Sequence, residues 1–171
     1  MAKRVIAIGG VPATGKTTLM RKLIKDLMPL STFKYKLVNG LYNRKKNIYI
    51  IGIYNEELFS GTDKLSMAVQ PNFVELTKKV RGGTFLFEGD RLFNQSLFEQ
   101  VNCEKIILEV EEEIIEQRHI SRNDTQSDQF KKSKRTKIQN IVDKFNVTIL
   151  KNNTKEESEH AFNYIKNLIE K

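Results

Sequence analysis

One stretch near the start of the chain admits few folds. Val5, Ile6, Ala7 and Ile8 form a short apolar run, and Gly10-Val11-Pro12-Ala13-Thr14-Gly15-Lys16-Thr17-Thr18 follows it directly. Leu19, Met20, Leu23, Ile24 and Leu27 then recur at helical spacing until Pro29 ends the pattern. Strand, glycine turn and helix in that order match G-x-x-x-x-G-K-[ST] at every fixed position. A turn that aims its N–H groups inward at phosphate oxygens needs residues without a Cβ, here Gly10 and Gly15. The helix behind it points the positive end of its dipole at the anion. Gly10, Ala13, Thr14, Gly15, Lys16, Thr17 and Thr18 are therefore candidate nucleotide contacts. Lys16 is expected to reach the β- and γ-phosphates of ATP, and the Thr17 hydroxyl to ligate Mg²⁺.

The rest of the chain alternates strand and helix patterns. Strands are expected at 33–38 and 48–54, with Asn39-Gly40 as a turn between them, leaving open a hairpin extension or two sheet strands. A loop is expected over 56–66, and a helix over 71–80 closed by Gly82-Gly83. Thr84-Phe85-Leu86-Phe87 reads as a fully buried strand and 105–110 as another. Helices are predicted over 92–101 and 111–121, and after a polar break at 123–129 a further helix carries Ile138, Ile141, Val142 and Phe145 as its apolar stripe. A last strand covers 147–150. Thr154-x-x-Glu157 is a capping box before the closing helix, whose buried face is Ala161, Phe162, Ile165, Leu168 and Ile169. This alternation predicts a three-layer α/β/α sandwich with a mainly parallel sheet, as one domain over 1–171.

Composition narrows the function classes. No apolar run approaches the ~20 residues of a membrane span, and the start is too short for a signal peptide, so a cytoplasmic protein is expected. Cys103 is the only cysteine and there are 2 histidines, which leaves neither a disulfide nor a ready zinc site. The excess of Lys and Arg gives a formal charge of +8, a field that favours polyanionic partners.

The acids nearest the expected metal are Glu88 and Asp90, because Glu88-Gly89-Asp90-Arg91 follows an apolar strand at the end where parallel sheets place their ligands. One carboxylate, Glu88 foremost, would hold Mg²⁺; the other could orient an acceptor hydroxyl or Arg91. Asp63, among Gly61, Thr62 and Ser66, is either a general base or a helix cap. Arg118 and Arg122 lie four residues apart on one helical face, where forked cations suit phosphate oxygens. Lys131, Lys132, Lys134, Arg135 and Lys137 form a basic tract that is either a solvated helix face or a path for the phosphates of a polymer, with Arg135 and Lys137 nearest the nucleotide. Phe59, Tyr42 and Tyr54 are possible stacking partners for a base, and Asn152-Asn153 a possible base cradle.

The Gly10–Thr17 loop, the Arg118/Arg122 pair and the chain length resemble the small P-loop kinases of the nucleotide-kinase group. More particularly, Gly61-Thr62-Asp63-Lys64-Leu65-Ser66-Met67-Ala68-Val69-Gln70 and Glu88-Gly89-Asp90-Arg91-Leu92 resemble phage-encoded 5-hydroxymethyluracil DNA kinases. That resemblance implies transfer of the γ-phosphate of ATP to the hydroxymethyl group of a modified pyrimidine in DNA. It also implies a lid over about 118–137 whose arginines close on the nucleotide, DNA contact through the basic tract, and residence in the host cytoplasm. A nucleoside or nucleoside monophosphate kinase, or a nucleotide-binding module without transferase activity, accounts for the same loop.

Overall fold

The computed structural model describes residues 2–55 and 60–171. Phe59 lies outside the described residues. Seven strands form one sheet in the order β2-β3-β4-β5-β1-β6-β7. They are β1 (Arg4–Gly9), β2 (Ser31–Tyr35), β3 (Val38–Asn43), β4 (Ile48–Ile51), β5 (Thr84–Glu88), β6 (Glu104–Glu109) and β7 (Thr148–Lys151). The helices are α1 (Lys16–Asp26), α2 (Val69–Lys79), α3 (Gln95–Gln100), α4 (Glu112–Ser121), α5 (Asp128–Lys144) and α6 (Lys155–Glu170). Strands β4, β5, β1, β6 and β7 pair in parallel, while β2 and β3 add on antiparallel beyond β4.

The apolar residues divide by strand periodicity into two cores, one on each face. Val5, Ala7, Phe85 and Phe87 meet α2, α3 and α5 on one side; Ile6, Ile8 and Leu86 meet α1 and α6 on the other. Helices on both faces of a mostly parallel sheet are the expected α/β architecture. Central β5 is buried along its whole length, as a strand covered on both faces must be.

The segment 31–43 departs from expectation. Asn39-Gly40 is not a turn but lies inside β3, where Gly40 pairs with Phe33 and with Ile51. The reversal comes earlier, at Lys36-Leu37, with Lys36 in the left-handed region at φ 52°. Gly40 is needed there for close approach: a Cβ would overlap the Ile50 carbonyl and the Phe33 ring. The strand expected to run to Tyr54 ends at Ile51, after which Ile53 makes an isolated bridge to Gly61. Helix α2 starts two residues before Pro71, a position the ring tolerates because a first-turn N–H has no intrahelical partner. The polar break ends sooner than expected: Ser127 caps α5, accepting from Phe130 N, so the helix absorbs Asp128 and Gln129. At α6, Thr154 Oγ1 accepts from Glu157 N, and the Glu157 carboxylate accepts the Asn153 N–H.

Among the described residues, no helix is long and apolar enough to cross a membrane.

Candidate functional site

The C-terminal ends of β1 and β5 adjoin, in register from Arg4↔Thr84 to Ile8↔Glu88. The glycine loop and Glu88 thus leave neighbouring strands at the same edge. Where the loop must curl, Ala13 is strained at φ 68°, and Gly15 takes φ 90°, which glycine adopts freely. Helix α1 has no side-chain cap and no acid in its first turn, so its leading N–H groups face the loop's concavity without a competing carboxylate.

Three side chains meet over this loop. Lys16 Nζ donates to the Gly10 and Val11 carbonyls at 2.8 and 2.9 Å. Thr17 Oγ1 donates to Glu88 Oε1 at 3.2 Å. Burial pulls the Lys16 ammonium below its usual pKa, against the opposing pull of Glu88, Asp90 and Asp63. Burial likewise pushes the Glu88 carboxyl up to about 7, Lys16 opposing and Asp63 adding to the shift. A hydroxyl and a carboxylate oxygen in contact are the hard donors that Mg²⁺ accepts alongside phosphate and water. Thr17 and Glu88 fit such an ion. Among the described residues no group of three or more Asp, Glu, His or Cys side chains could hold a metal by itself. Tyr54 also reaches Glu88, its hydroxyl 3.5 Å from Oε1 and pushed well above its usual pKa by burial and then by that carboxylate.

Two clefts flank the loop. The larger, about 550 Å³, runs from Lys16, Thr17 and Glu88 past Asp63 and Arg91 to Phe130. Asp63 is exposed there in a short 3-10 turn (Thr62–Lys64), with Oδ1 accepting from Arg91 N at 3.2 Å. Arg91 in turn donates from Nη2 to the Asp63 carbonyl at 3.3 Å. The smaller cleft, about 370 Å³, lies on the other side of the loop against Gly15, Thr18, Arg118 and Asn152. Arg122 borders both.

The two arginines of the Arg-x-x-x-Arg pair therefore part company. Arg118 grips backbone, donating to Ala13 O at 3.0 Å and to Asn152 O at 2.9 Å. It ties α4 to the glycine loop and to the end of β7, whereas Arg122 turns to the junction of the clefts. Asn152 braces the same corner, donating from Nδ2 to Thr14 O at 2.6 Å. Asn153 turns away, its Oδ1 accepting the Glu111 N–H at 2.7 Å.

Asp90 lies in the larger cleft and is held by α5. Its carboxylate pairs with Lys134 and, at 3.7 Å, with Lys137. Partial burial pushes its pKa up, but Lys134 and Lys137 outweigh that, and the net shift is downward. The basic tract is consequently split by helical periodicity. Lys131, Lys134 and Lys137 fall on the half-buried side, while Lys132 and Arg135 face out. Lys134 enters the cleft; Arg135, expected near the nucleotide, instead pairs with Glu112.

Tyr42 sits away from both clefts, its ring centroid 4.4 Å from that of Tyr49 and tilted 31° to it in the hairpin's aromatic row. Sequence reasoning missed Asp124 and Gln126, which alternate with Arg122 along the cleft wall in the segment joining α4 to α5. Buried His119 anchors that segment: its Nδ1 lies 3.1 Å from Asp124 Oδ2, and Asp124 N donates to the His119 carbonyl at 2.9 Å. The only signal in the sequence was the polar, acid-containing break. Two buried polar atoms of cleft residues, Arg91 Nε and Gln126 Oε1, have no hydrogen-bond partner among the described residues.

No protein-family model matches this chain, and no curated protein matches it either.

Proposed function

We propose that this chain is an ATP-dependent phosphotransferase of the P-loop, nucleotide-kinase-like kind, which moves the γ-phosphate onto a hydroxyl of a modified pyrimidine, 5-hydroxymethyluracil, in DNA. The observation that carries the kinase reading is the meeting of Lys16, Thr17 and Glu88 over the glycine loop, with Thr17 Oγ1 and Glu88 Oε1 3.2 Å apart.

On this reading the loop N–H groups and Lys16 bind the β- and γ-phosphates, and Thr17 and Glu88 hold Mg²⁺, which offsets charge on the transferring group. The smaller cleft takes the nucleotide's base and the larger one the acceptor. Arg122, between them, stands where charge moves from one substrate to the other. Asp63 offers a carboxylate to the acceptor hydroxyl, aligning it and taking its proton, while Arg91 N holds Oδ1 in place. Asp90, engaged by two lysines, serves to hold α5 rather than to act as base.

The DNA acceptor is supported by the resemblance of the Gly61–Gln70 and Glu88–Leu92 segments and by the +8 charge. A mononucleotide or nucleoside acceptor is favoured by a different observation: Lys134 and Lys137 are committed to Asp90, and Arg135 to Glu112, rather than lined up along one surface. Incubation with γ-labelled ATP, Mg²⁺ and either hydroxymethyluracil-containing DNA or free pyrimidine nucleotides separates the readings. Alkali-stable label in DNA is the expected result. Label in free nucleotide alone supports the second reading, and tight ATP binding with no labelled acceptor of either kind reduces the protein to a nucleotide-binding module.

A further inference from the structure

The larger cleft is polar at its phosphate end and has two exposed apolar side chains at the other. Met67, 84% exposed, stands in the segment leading into α2, and Phe130, 39% exposed, in the first turn of α5. Helices α2 and α5 both approach α3. Gln70 of α2 donates to Ser96 Oγ at 2.9 Å, while Phe98 of α3 packs edge-on against Phe145 just past α5. Met67 and Phe130 thus line one cleft from two different elements. Neither packs into the cores.

Large apolar side chains held in water contribute nothing to folding, and a flat ligand between them would bury both. Phe130 is steadied for that task, because the Lys134 ammonium lies 5.0 Å from its ring centroid and Lys134 is itself tied to Asp90. Thioether and ring together suit a planar π-system. The cleft wall also carries the amide side chains of Gln70, Asn94 and Gln126. A ring whose edge carries both C=O and N–H matches amides better than a sugar or a plain alcohol does.

We propose that Met67 and Phe130 clamp the heterocyclic ring of the acceptor between them and so determine which hydroxyls are phosphorylated. The clamp rests on the phosphotransferase reading above, and it makes ring-bearing alcohols the substrate class. The acceptor's ring sits between the two side chains, and its hydroxyl reaches Asp63 toward the phosphate end.

Binding measures the clamp without turnover. Calorimetric titration of the full chain uses 5-hydroxymethyl-2′-deoxyuridine 5′-monophosphate as the ring-bearing probe and 2-deoxyribose 5-phosphate as the ringless one, with a non-hydrolysable ATP analogue titrated in parallel. The wild type is expected to bind the ring-bearing probe at least about fivefold tighter than the ringless one. Met67→Ala and Phe130→Ala should each weaken that probe by about five- to a hundredfold, and Phe130→Tyr should retain it. Affinity for the ATP analogue should stay within about twofold of wild type, and circular dichroism should report an intact fold. Equal affinity of the wild type for the two probes, or undiminished binding in both alanine variants, overturns the clamp. So does parallel loss of ATP-analogue binding, which would place the nucleotide's own base there. The labelled-ATP assay reads the kinase proposal separately: transfer that persists in a fully active Phe130→Ala, Met67→Ala double variant refutes the clamp alone, and no transfer by the wild type to any acceptor refutes the phosphotransferase reading.

Discussion

Lys16 makes its two hydrogen bonds to carbonyls of its own loop, and buried Glu88, whose raised pKa it opposes electrostatically, can take up a proton in its absence. Lys16→Ala should leave the thermal midpoint within a few degrees of wild type while lowering phosphoryl transfer by about a thousandfold or more. Circular dichroism melting and the labelled-ATP assay give the two readings, and a fully active variant would refute the assignment of the loop. Gly61 is the opposite case, a residue with no chemistry on which the site depends. Its φ is +85°, and a Cβ would overlap Glu88 Oε1 and lie 3.0 Å from the Glu88 carbonyl oxygen. Gly61→Ala should therefore cost roughly 2–4 kcal/mol of stability in a urea titration. It should also weaken Mg²⁺-dependent nucleotide binding by displacing the carboxylate. Unchanged stability would mean that the turn before Thr62 is looser than the structure has it.

Helix α5 packs its apolar stripe on the core and is also tied to the strand edge through Asp90, which receives Lys134 and Lys137 from successive turns. Its pKa is lowered in the folded chain, so the unfolded chain takes up a proton first as pH falls. The stabilisation is complete above the unfolded value of about 3.9 and is lost as pH drops through the lower folded value. Asp90→Asn should remove that part of the acid dependence and cost roughly 1 kcal/mol at pH 7. Superimposable acid-denaturation curves for variant and wild type would show that the tie contributes nothing. At the same level, α4 and the segment after it show how one buried contact organises several cleft residues. The His119–Asp124 pair closes the chain on itself past Asn123, a left-handed residue at φ 55°. Arg122, Asp124 and Gln126 are then presented on alternate residues to one cleft.

Across the whole molecule, Cys103 offers a probe of global opening. It is buried at the edge of the core, and burial pushes its thiol up to about 12 against the opposing influence of Lys105. At pH 8 an aromatic disulfide reagent should react with it roughly a thousandfold slower than with an exposed cysteine. Denaturant should raise the rate in step with unfolding measured by circular dichroism. Immediate reaction under native conditions would contradict the burial.

Much of this whole was legible in the residues alone, for a local reason. The run of four apolar residues before Gly10 and the helical stripe from Leu19 to Leu27 are set by periodicity, which acts within one element. So are the buried strand ending at Glu88, the stripe of α5 and the Thr154 cap. Even the neighbourhood of Thr17 and Glu88 followed from the rule that parallel strands carry their ligands at one end. The reversal at Lys36-Leu37 was not legible, because Asn39-Gly40 is a stronger local turn signal and only the packing of Phe33 over Gly40 overrides it. Nor could spacing say which way each cation of the basic tract would turn. Lys134 and Arg135 are adjacent, yet one meets Asp90 and the other Glu112, partners 22 residues apart in sequence brought to different faces of α5 by tertiary packing. The sequence by itself determined the α/β class and the strand, glycine turn and helix around Gly10 to Lys16, since both are written in short-range patterns. Only the tertiary structure decided that Arg118 braces the loop while Arg122 borders both clefts, and that Met67 and Phe130 line the same cleft. Those relations join residues far apart in the chain, and distance along the chain carries no record of them.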